Sequence, residues 1–438
     1  MGDSRSDPGA AASPTVARFL AAFDRRGVDA EVHPGDAMFR FAERLAHGVR
    51  EAALLEYFRS GYGAARVAEA LLGWRFGDGT DPSSGPRSIL EFGSGHGRVT
   101  RFLAPRYGGG RITAAEVDPT AVGFVRRFGV AAVATTTDPG AFDPGRRFDA
   151  ILAFSVLSHL PEGTFRRWLE RWWHHLEPGG VLVASVLDRR VMLPGRTFPA
   201  SGFWFEPMSE SEVLDAADYG TTWVSEEYLR GLLAALPGVA AAHRIPLGLW
   251  HLQDLWAVVK EPGGELPAPA FDPGPCGYLE SCTLDADRRR LEVTGWAKAA
   301  VGGTTVELRV ADGTDHEAVV AGAPTDRRDD LPPEHATADA TGFRLVHDAP
   351  APIDPATPIC VEARDGATGS RHLLHLGTAE ATDLFLRLRA ARREADRLRE
   401  AVEVFEASGF GRLRRRWMGW KRRYAILTPS PRPDPPQT

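Results

Sequence analysis

Hydrophobic positions recur at helical spacing from Thr15 to Trp74: Phe19 and Phe23, then Phe39, Phe41, Leu45, Leu54, Leu55 and Phe58, then Val67, Leu71 and Leu72. Steps of three and four are those of helices burying one face. The period then changes. Short apolar runs near 88–92, 112–117, 130–134, 149–155 and 181–186, separated by helical stretches, predict parallel strands joined by right-handed crossovers. A reversed pair near 241–247 and 251–260 completes an expected seven-stranded α/β sheet. The stretch 262–275 holds too many Pro and Gly residues for regular pairing and reads as a linker. Beyond it, Leu291–Trp296, Thr305–Val310, Glu317–Val320, Phe343–Val346 and Ile359–Arg364 alternate apolar with polar, which predicts an antiparallel β-sandwich.

After Gly377 the pattern turns helical again. Leu384, Leu388, Ala391, Ala395, Leu398, Val402 and Phe405 repeat at alternating steps of four and three, a heptad seam. Such a seam wants a partner helix, either from a homodimer through 384–405 or from the chain's own sandwich. Phe410, Leu413, Trp417, Trp420 and Tyr424 then share one helical face, and Arg412, Arg414, Arg415, Arg416, Lys421, Arg422 and Arg423 cover the rest. A basic helix with an aromatic face suits peripheral contact with an anionic membrane, or packing on its own domain. The expected division is 1–34, a flexible N-terminal segment with a short helix; 35–262, the α/β domain; 263–275, linker; 276–377, sandwich accessory domain; 378–428, helical, heptad then basic; and 429–438, disordered.

At 438 residues the chain exceeds one typical core, as that division requires. A net charge of −6 argues against nucleic acid as a partner of the whole chain. Cys276, Cys282 and Cys360 are too few and scattered for a disulfide framework or a zinc site. No apolar run reaches the ~18 residues of a spanning helix, and no signal-peptide hydrophobic region stands at the start. Cytoplasmic location is expected, with the basic helix able to meet the inner membrane face.

The candidate chemistry starts at Ile89-Leu-Glu-Phe-Gly-Ser-Gly-His-Gly-Arg98. A strand runs into a turn with Gly93, Gly95 and Gly97, whose backbone can bend sharply and approach a ligand closely. An open α/β sheet builds its cofactor crevice there, at the carboxyl ends of the strands. Arg98 stands where the dinucleotide fingerprint needs glycine. The next strand ends Ala115-Glu-Val-Asp118; a carboxylate at that tip can take both hydroxyls of a ribose, Glu116 first and Asp118 second. Then come Phe148-Asp149, a Ser155-Val-Leu-Ser-His-Leu160 segment, a Trp-rich helix and a Leu176-Glu-Pro-Gly-Gly180 turn into another strand.

In this combination the chain resembles the class I S-adenosylmethionine-dependent methyltransferases over residues 35–262. It is closer still to a bacterial subgroup with Gly95-His-Gly-Arg-Val99 in the loop, Ser158-His-Leu-Pro161 after strand four, and late Tyr219-Gly220 and Gln253-Asp254 pairs. The sandwich resembles accessory regions of bacterial surface-glycan enzymes through Gly295-Trp-Ala297, the Arg327-Arg-Asp-Asp330 loop and Gly342-Phe343. The resemblance implies a Rossmann-like domain, S-adenosylmethionine as cofactor, and a sugar or glycan-precursor hydroxyl, or another small molecule, as acceptor. Glu91, Gly93, Ser94, Gly95 and Gly97 would grip the amino-acid end of the cofactor, and Glu116 its ribose. Val117, Asp118 and Thr136 would flank the adenine, with Ser155 at the tip of strand four. Tyr57, Phe58, Tyr62 and Gly63, before the first strand, would lie near the site or simply pack.

His159 follows strand four on the loop that faces the transferred methyl in this fold, and imidazole titrates near working pH. It reads either as general base for a hydroxyl or as a wall residue bonded to backbone. His96 reads as shaping the cofactor site, and His174 and His175 as structural. Ser155 stands where metal-dependent O-methyltransferases place an acid, and the Asn/Asp-Pro-Pro-aromatic signature of amino methylation on nucleic acids is missing; both favour metal-free transfer to oxygen. The alternative is a protein that binds cofactor but serves as a scaffold, through sandwich and tail, at a membrane-associated glycan assembly.

Overall fold

The computed structural model describes residues 13–77, 85–192, 196–207, 214–262, 266–298, 303–311, 317–324, 326–328 and 341–407. Three helices come first: α1 (Pro14–Ala22), α2 (Ala37–Leu45) and α3 (Arg50–Phe76). The Asp36 side chain caps α2 by accepting from the amides of Met38 and Phe39, donors that have no partner inside the helix. The short helix expected within 1–34 is α1, and residues 13–34 pack on the domain. Phe19 of α1 is fully buried, and the carbonyls of Asp29 and Glu31 accept from the buried Arg101 guanidinium at 3.0 and 2.8 Å.

The sheet strands are β1 (Ile89–Phe92), β2 (Ile112–Glu116), β3 (Ala131–Ala134), β4 (Phe148–Ala153), β5 (Leu176–Asp188), β6 (Phe203–Glu206), β7 (Thr221–Val224), β8 (Val239–Leu249) and β9 (Gln253–Lys260). Seven of them stand in the order β3-β2-β1-β4-β5-β9-β8, parallel except that β9 runs antiparallel to β5 and β8 to β9. Helices α4 (Thr100–Tyr107), α5 (Pro119–Val125), α6 (Glu162–His174) and α7 (Glu226–Ala234) connect them. Side chains alternate between the faces as the pleat requires. Ile89, Ala150, Leu152, Val181 and Val183 bury against the α1–α3 layer, while Leu90, Ile151, Leu182 and Ala184 bury against α6 and α7. On that second face Phe92 meets Trp168 and Trp172 at ring separations of 4.4 and 5.0 Å.

Two details were not legible. The hairpin β6–β7 adds to the sheet beyond seven strands, β7 pairing with Leu187 and Asp188 at the carboxyl end of β5. The Pro-Gly-Gly segment is no free turn but the start of β5, where a register shift between Phe148 and Ala150 absorbs the extra residues.

The sandwich packs β10 (Cys276–Leu284), β11 (Arg290–Lys298), β15 (Thr341–Asp348) and β14 (Asp326–Arg327) as one sheet. The other is β13 (Glu317–Gly322), β12 (Thr304–Ala311), β16 (Pro358–Asp365) and β17 (Arg371–Thr378). Strands β10 and β17 escaped the alternation reading: a bulge interrupts β10, and β17 is buried through Leu373–Gly377 without alternating. Leu373 and Leu376 of β17 join the same core as α1 and α3, and Asp272 of the linker accepts from the hydroxyls of Thr368 and Ser370. The α/β part and the sandwich therefore form one compact unit that ends at Phe385; a second begins at Leu386.

Helix α8 (Ala379–Ala407) crosses that boundary as the expected heptad helix. Of its seam, Leu384, Leu388, Leu398 and Val402 are exposed. The expected basic helix and tail, from 408 on, lie outside the described residues, as do Asp329 and Asp330 of the sandwich loop. Among the described residues no helix is long and apolar enough to cross a membrane.

Candidate active site

The turn after β1 is held open by its glycines. Gly97 sits at φ +79°, and a Cβ there would come within 2.3 Å of the Phe128 ring. Gly95, at φ +54°, has nothing within 4 Å of the place a Cβ would take. That space belongs to a cavity of about 880 Å³ whose wall includes Gly93, Gly95, Glu116, Val117, Asp118, Thr136, Ser155 and His159. Strand order brings them together, because β1, β2 and β4 are neighbours with their carboxyl ends on one edge. Glu91, Ser94 and Gly97 are not in that wall. They stand behind the loop, where Glu91 accepts from the Thr100 hydroxyl at 2.7 Å and is buried.

Glu116 is aimed by backbone. Its Oε2 accepts from the Gly95 amide at 2.7 Å, and Oε1 from the Val117 and Asp118 amides at 2.7 and 3.2 Å. A carboxylate offers about four acceptor sites, so capacity remains for a ligand hydroxyl. Burial pushes the Glu116 carboxyl above its ordinary range, against the opposing pull of those amides. Burial likewise pushes Glu91 up, to about 7. Asp118 differs: burial would raise it, but the Thr120 hydroxyl and amide outweigh that and hold it below its usual value. Its carboxylate is engaged in capping α5. Thr136 bonds Asp138 and faces the cavity from the β3 side.

His159 lies on a short 3-10 turn after β4. Its Nδ1 is 2.8 Å from the Gly220 carbonyl. That oxygen can only accept, so Nδ1 carries the proton and Nε2 presents a lone pair. Nε2 stands 3.4 Å from the Ser155 hydroxyl, and the ring stacks on Tyr219 at 4.5 Å. Ser155 is fixed in turn: it takes a left-handed φ of +55°, its amide donates to Ser185 Oγ at 2.7 Å, and its hydroxyl accepts from Gln253 Nε2 at 3.0 Å. Unfavourable φ held by surrounding bonds is a common property of functional sites.

Of the four residues expected near the site or in the core, Tyr57, Tyr62 and Gly63 face the cavity, whereas Phe58 is core. Trp250 and His251, at the tip of the β8–β9 hairpin, also line it with left-handed φ values of 54°. Arg98 lines it with its guanidinium 4.9 Å from the Trp250 ring. Burial lowers the Arg98 pKa. His96 stacks on His33 at 4.5 Å and shapes the wall beside α5. The Gln253-Asp254 pair had been singled out through the resemblance. Gln253 holds Ser155, and Asp254, which accepts from the Leu247 amide, holds the hairpin.

Residues 90–182 match the family model described as methyltransferase domain. No curated protein matches the chain. Among solved structures, the domain is similar to a complex of DhpI with SAH (18% identity, 52% of this chain and 97% of that one, TM-score 0.33). It is also similar to an O-methyltransferase family protein from Burkholderia thailandensis (16%, 57% and 72%, 0.34). A third is CalS10, an amino pentose methyltransferase from Micromonospora echinaspora (20%, 56% and 96%, 0.30). The cavity would accommodate S-adenosylmethionine on its own geometry: an open glycine cradle at Gly95, the backbone-aimed carboxylate of Glu116 and the Arg98 guanidinium all stand on its wall.

Proposed function

We propose that the protein methylates a hydroxyl of a sugar or surface-glycan precursor, without a metal, using His159 as general base. S-adenosylmethionine, when bound, supplies a methyl group on a sulfonium, an excellent leaving arrangement that asks the protein mainly for alignment and proton removal. Glu116 and the Gly93–Gly95 backbone orient the donor, with Glu91 acting from behind the loop and Val117, Asp118, Thr136 and Ser155 bordering it. The single observation that carries the reading is the Nδ1–Gly220 bond, which leaves His159 Nε2 as an acceptor on the cavity side. An acceptor hydroxyl near Ser155 Oγ would pass its proton there.

The test is His159→Ala, assayed as S-adenosylhomocysteine release with a panel of monosaccharides and sugar phosphates. Turnover should fall by ~10²–10⁴ while cofactor affinity stays within a few-fold. Unchanged turnover would make His159 a wall residue; lost cofactor affinity would move it to the binding shell.

In this reading residues 35–262 are the catalytic domain and 276–377 the acceptor-side accessory domain. The seam at 384–405 pairs two copies, and 407–428 draws the cytoplasmic protein to the inner membrane face. The exposed seam residues Leu388, Leu398 and Val402 also favour a second reading, a cofactor-binding scaffold. Cofactor affinity without methyl transfer to any hydroxyl would select it.

A further inference from the structure

The cavity does not end at the methyltransferase domain. Its far wall is built by the sandwich, through Tyr278 of β10 and Arg371, His372 and Leu373 of β17. Facing them, α3 presents Arg59 and Arg66, seven residues and two turns apart on one helical face. Arg59 is spoken for: it donates to the carbonyls of Leu373 and Leu374 at 3.2 and 3.4 Å and pairs with Glu56. Arg66 makes no hydrogen bond or ion pair among the described residues. His372 meets His251 edge to face at 6.4 Å. Asp36, another acid of the cavity wall, is already engaged by the Tyr57 hydroxyl at 2.5 Å and by the start of α2, and Asp272 of the linker accepts from Thr368 and Ser370.

A half-buried guanidinium on the cavity wall that donates to no protein acceptor among the described residues can receive an anion there. The geometry points to an oxyanion subsite, formed by Arg66 with His372 and Arg59 where the sandwich closes the cavity, that selects an acceptor bearing a phosphate or carboxylate. Burial, then Arg59, His251 and Arg66, hold the His372 imidazole well below its ordinary pKa. Neutral His372 therefore adds a hydrogen bond and not a charge, and Arg66 carries the recognition. The sandwich is then a specificity element of the enzyme. This deepens the methyl-transfer reading and rests on it only for what happens at the other end of the cavity.

The test is calorimetry on the full chain with S-adenosylhomocysteine present, titrating glucose, glucose 1-phosphate, glucuronate and inorganic phosphate into wild type, Arg66→Gln and Arg66→Lys. Wild type should bind at least one anionic sugar roughly tenfold or more tighter than glucose, Arg66→Gln should erase the difference, and Arg66→Lys should restore part of it. S-adenosylhomocysteine affinity should be the same in all three, which shows that the variants are folded. The tighter of glucose 1-phosphate and glucuronate identifies the oxyanion. Arg66-dependent binding of inorganic phosphate alone supports the subsite while counting against a sugar acceptor. Equal binding of glucose and the anionic sugars, no binding of any anion, or no effect of Arg66→Gln would overturn the subsite and leave the role of His159 untouched.

Discussion

Glu91 and Glu116 show how two acids on adjacent strands acquire different roles. Glu116 reaches the cavity and is held by three amides; Glu91 is turned into the core with Thr100 as partner. The Glu91 carboxyl is raised from its ordinary 4.5 to about 7 by burial, which makes it a stability switch. Because its folded pKa lies above its unfolded one, its contribution is complete below pH 4.5 and is lost as pH rises through about 7. At 1.36 kcal/mol per unit the loss is on the order of 3 kcal/mol. Thermal melting of the cofactor-free protein should therefore fall between pH 5 and 8, and Glu91→Gln, which keeps an acceptor for Thr100, should flatten that slope. Parallel slopes for the two proteins would show that Glu91 does not titrate there.

At the scale of elements, α8 is the piece whose pattern lacks an answer among the described residues. Its seam positions Leu388, Leu398 and Val402 remain in water, which an isolated helix tolerates poorly. Pairing of two copies through the heptads would bury them. Sedimentation should find a dimer, and Leu398→Glu should convert it to monomer without changing cofactor affinity. A monomeric wild type across micromolar concentrations would rule the pairing out.

For the whole molecule the charges are unevenly distributed. The chain is net −6, yet Ala407–Thr428 contains seven basic residues and no acid. Each cation near an anionic surface contributes about 1 kcal/mol, and Trp417 and Trp420 add an apolar part. Truncation after Glu406 should release the protein from anionic vesicles and leave methyl transfer intact, and high salt should weaken the full-length interaction because exposed charges are screened beyond about 8–10 Å. Full-length protein that ignores such vesicles at low salt would assign these aromatic residues to a protein partner or to the chain's own sandwich.

What local sequence determines by itself is what depends on periodicity and turn chemistry. The parallel strands, the glycine turn at 93–97, the acid at the tip of β2, the alternating strands of the sandwich and the heptads of α8 all follow from spacing along the chain. The candidate His159 came from the family resemblance, which implies that the loop after β4 faces the transferred methyl. Its tautomer was not legible, because the deciding carbonyl belongs to Gly220, 61 residues on. Nor were the left-handed Trp250 and His251, or the bond from Arg59 to β17 more than 300 residues away. Period and composition report what each segment buries; which buried faces meet is settled by packing, where a strand such as β17 completes a core begun by α1 and α3. The joint cavity exists only after that meeting. The fold class could therefore be read from the chain, while the joining of the α/β part and the sandwich into one unit, with the cavity they share, is assembled only by the tertiary structure.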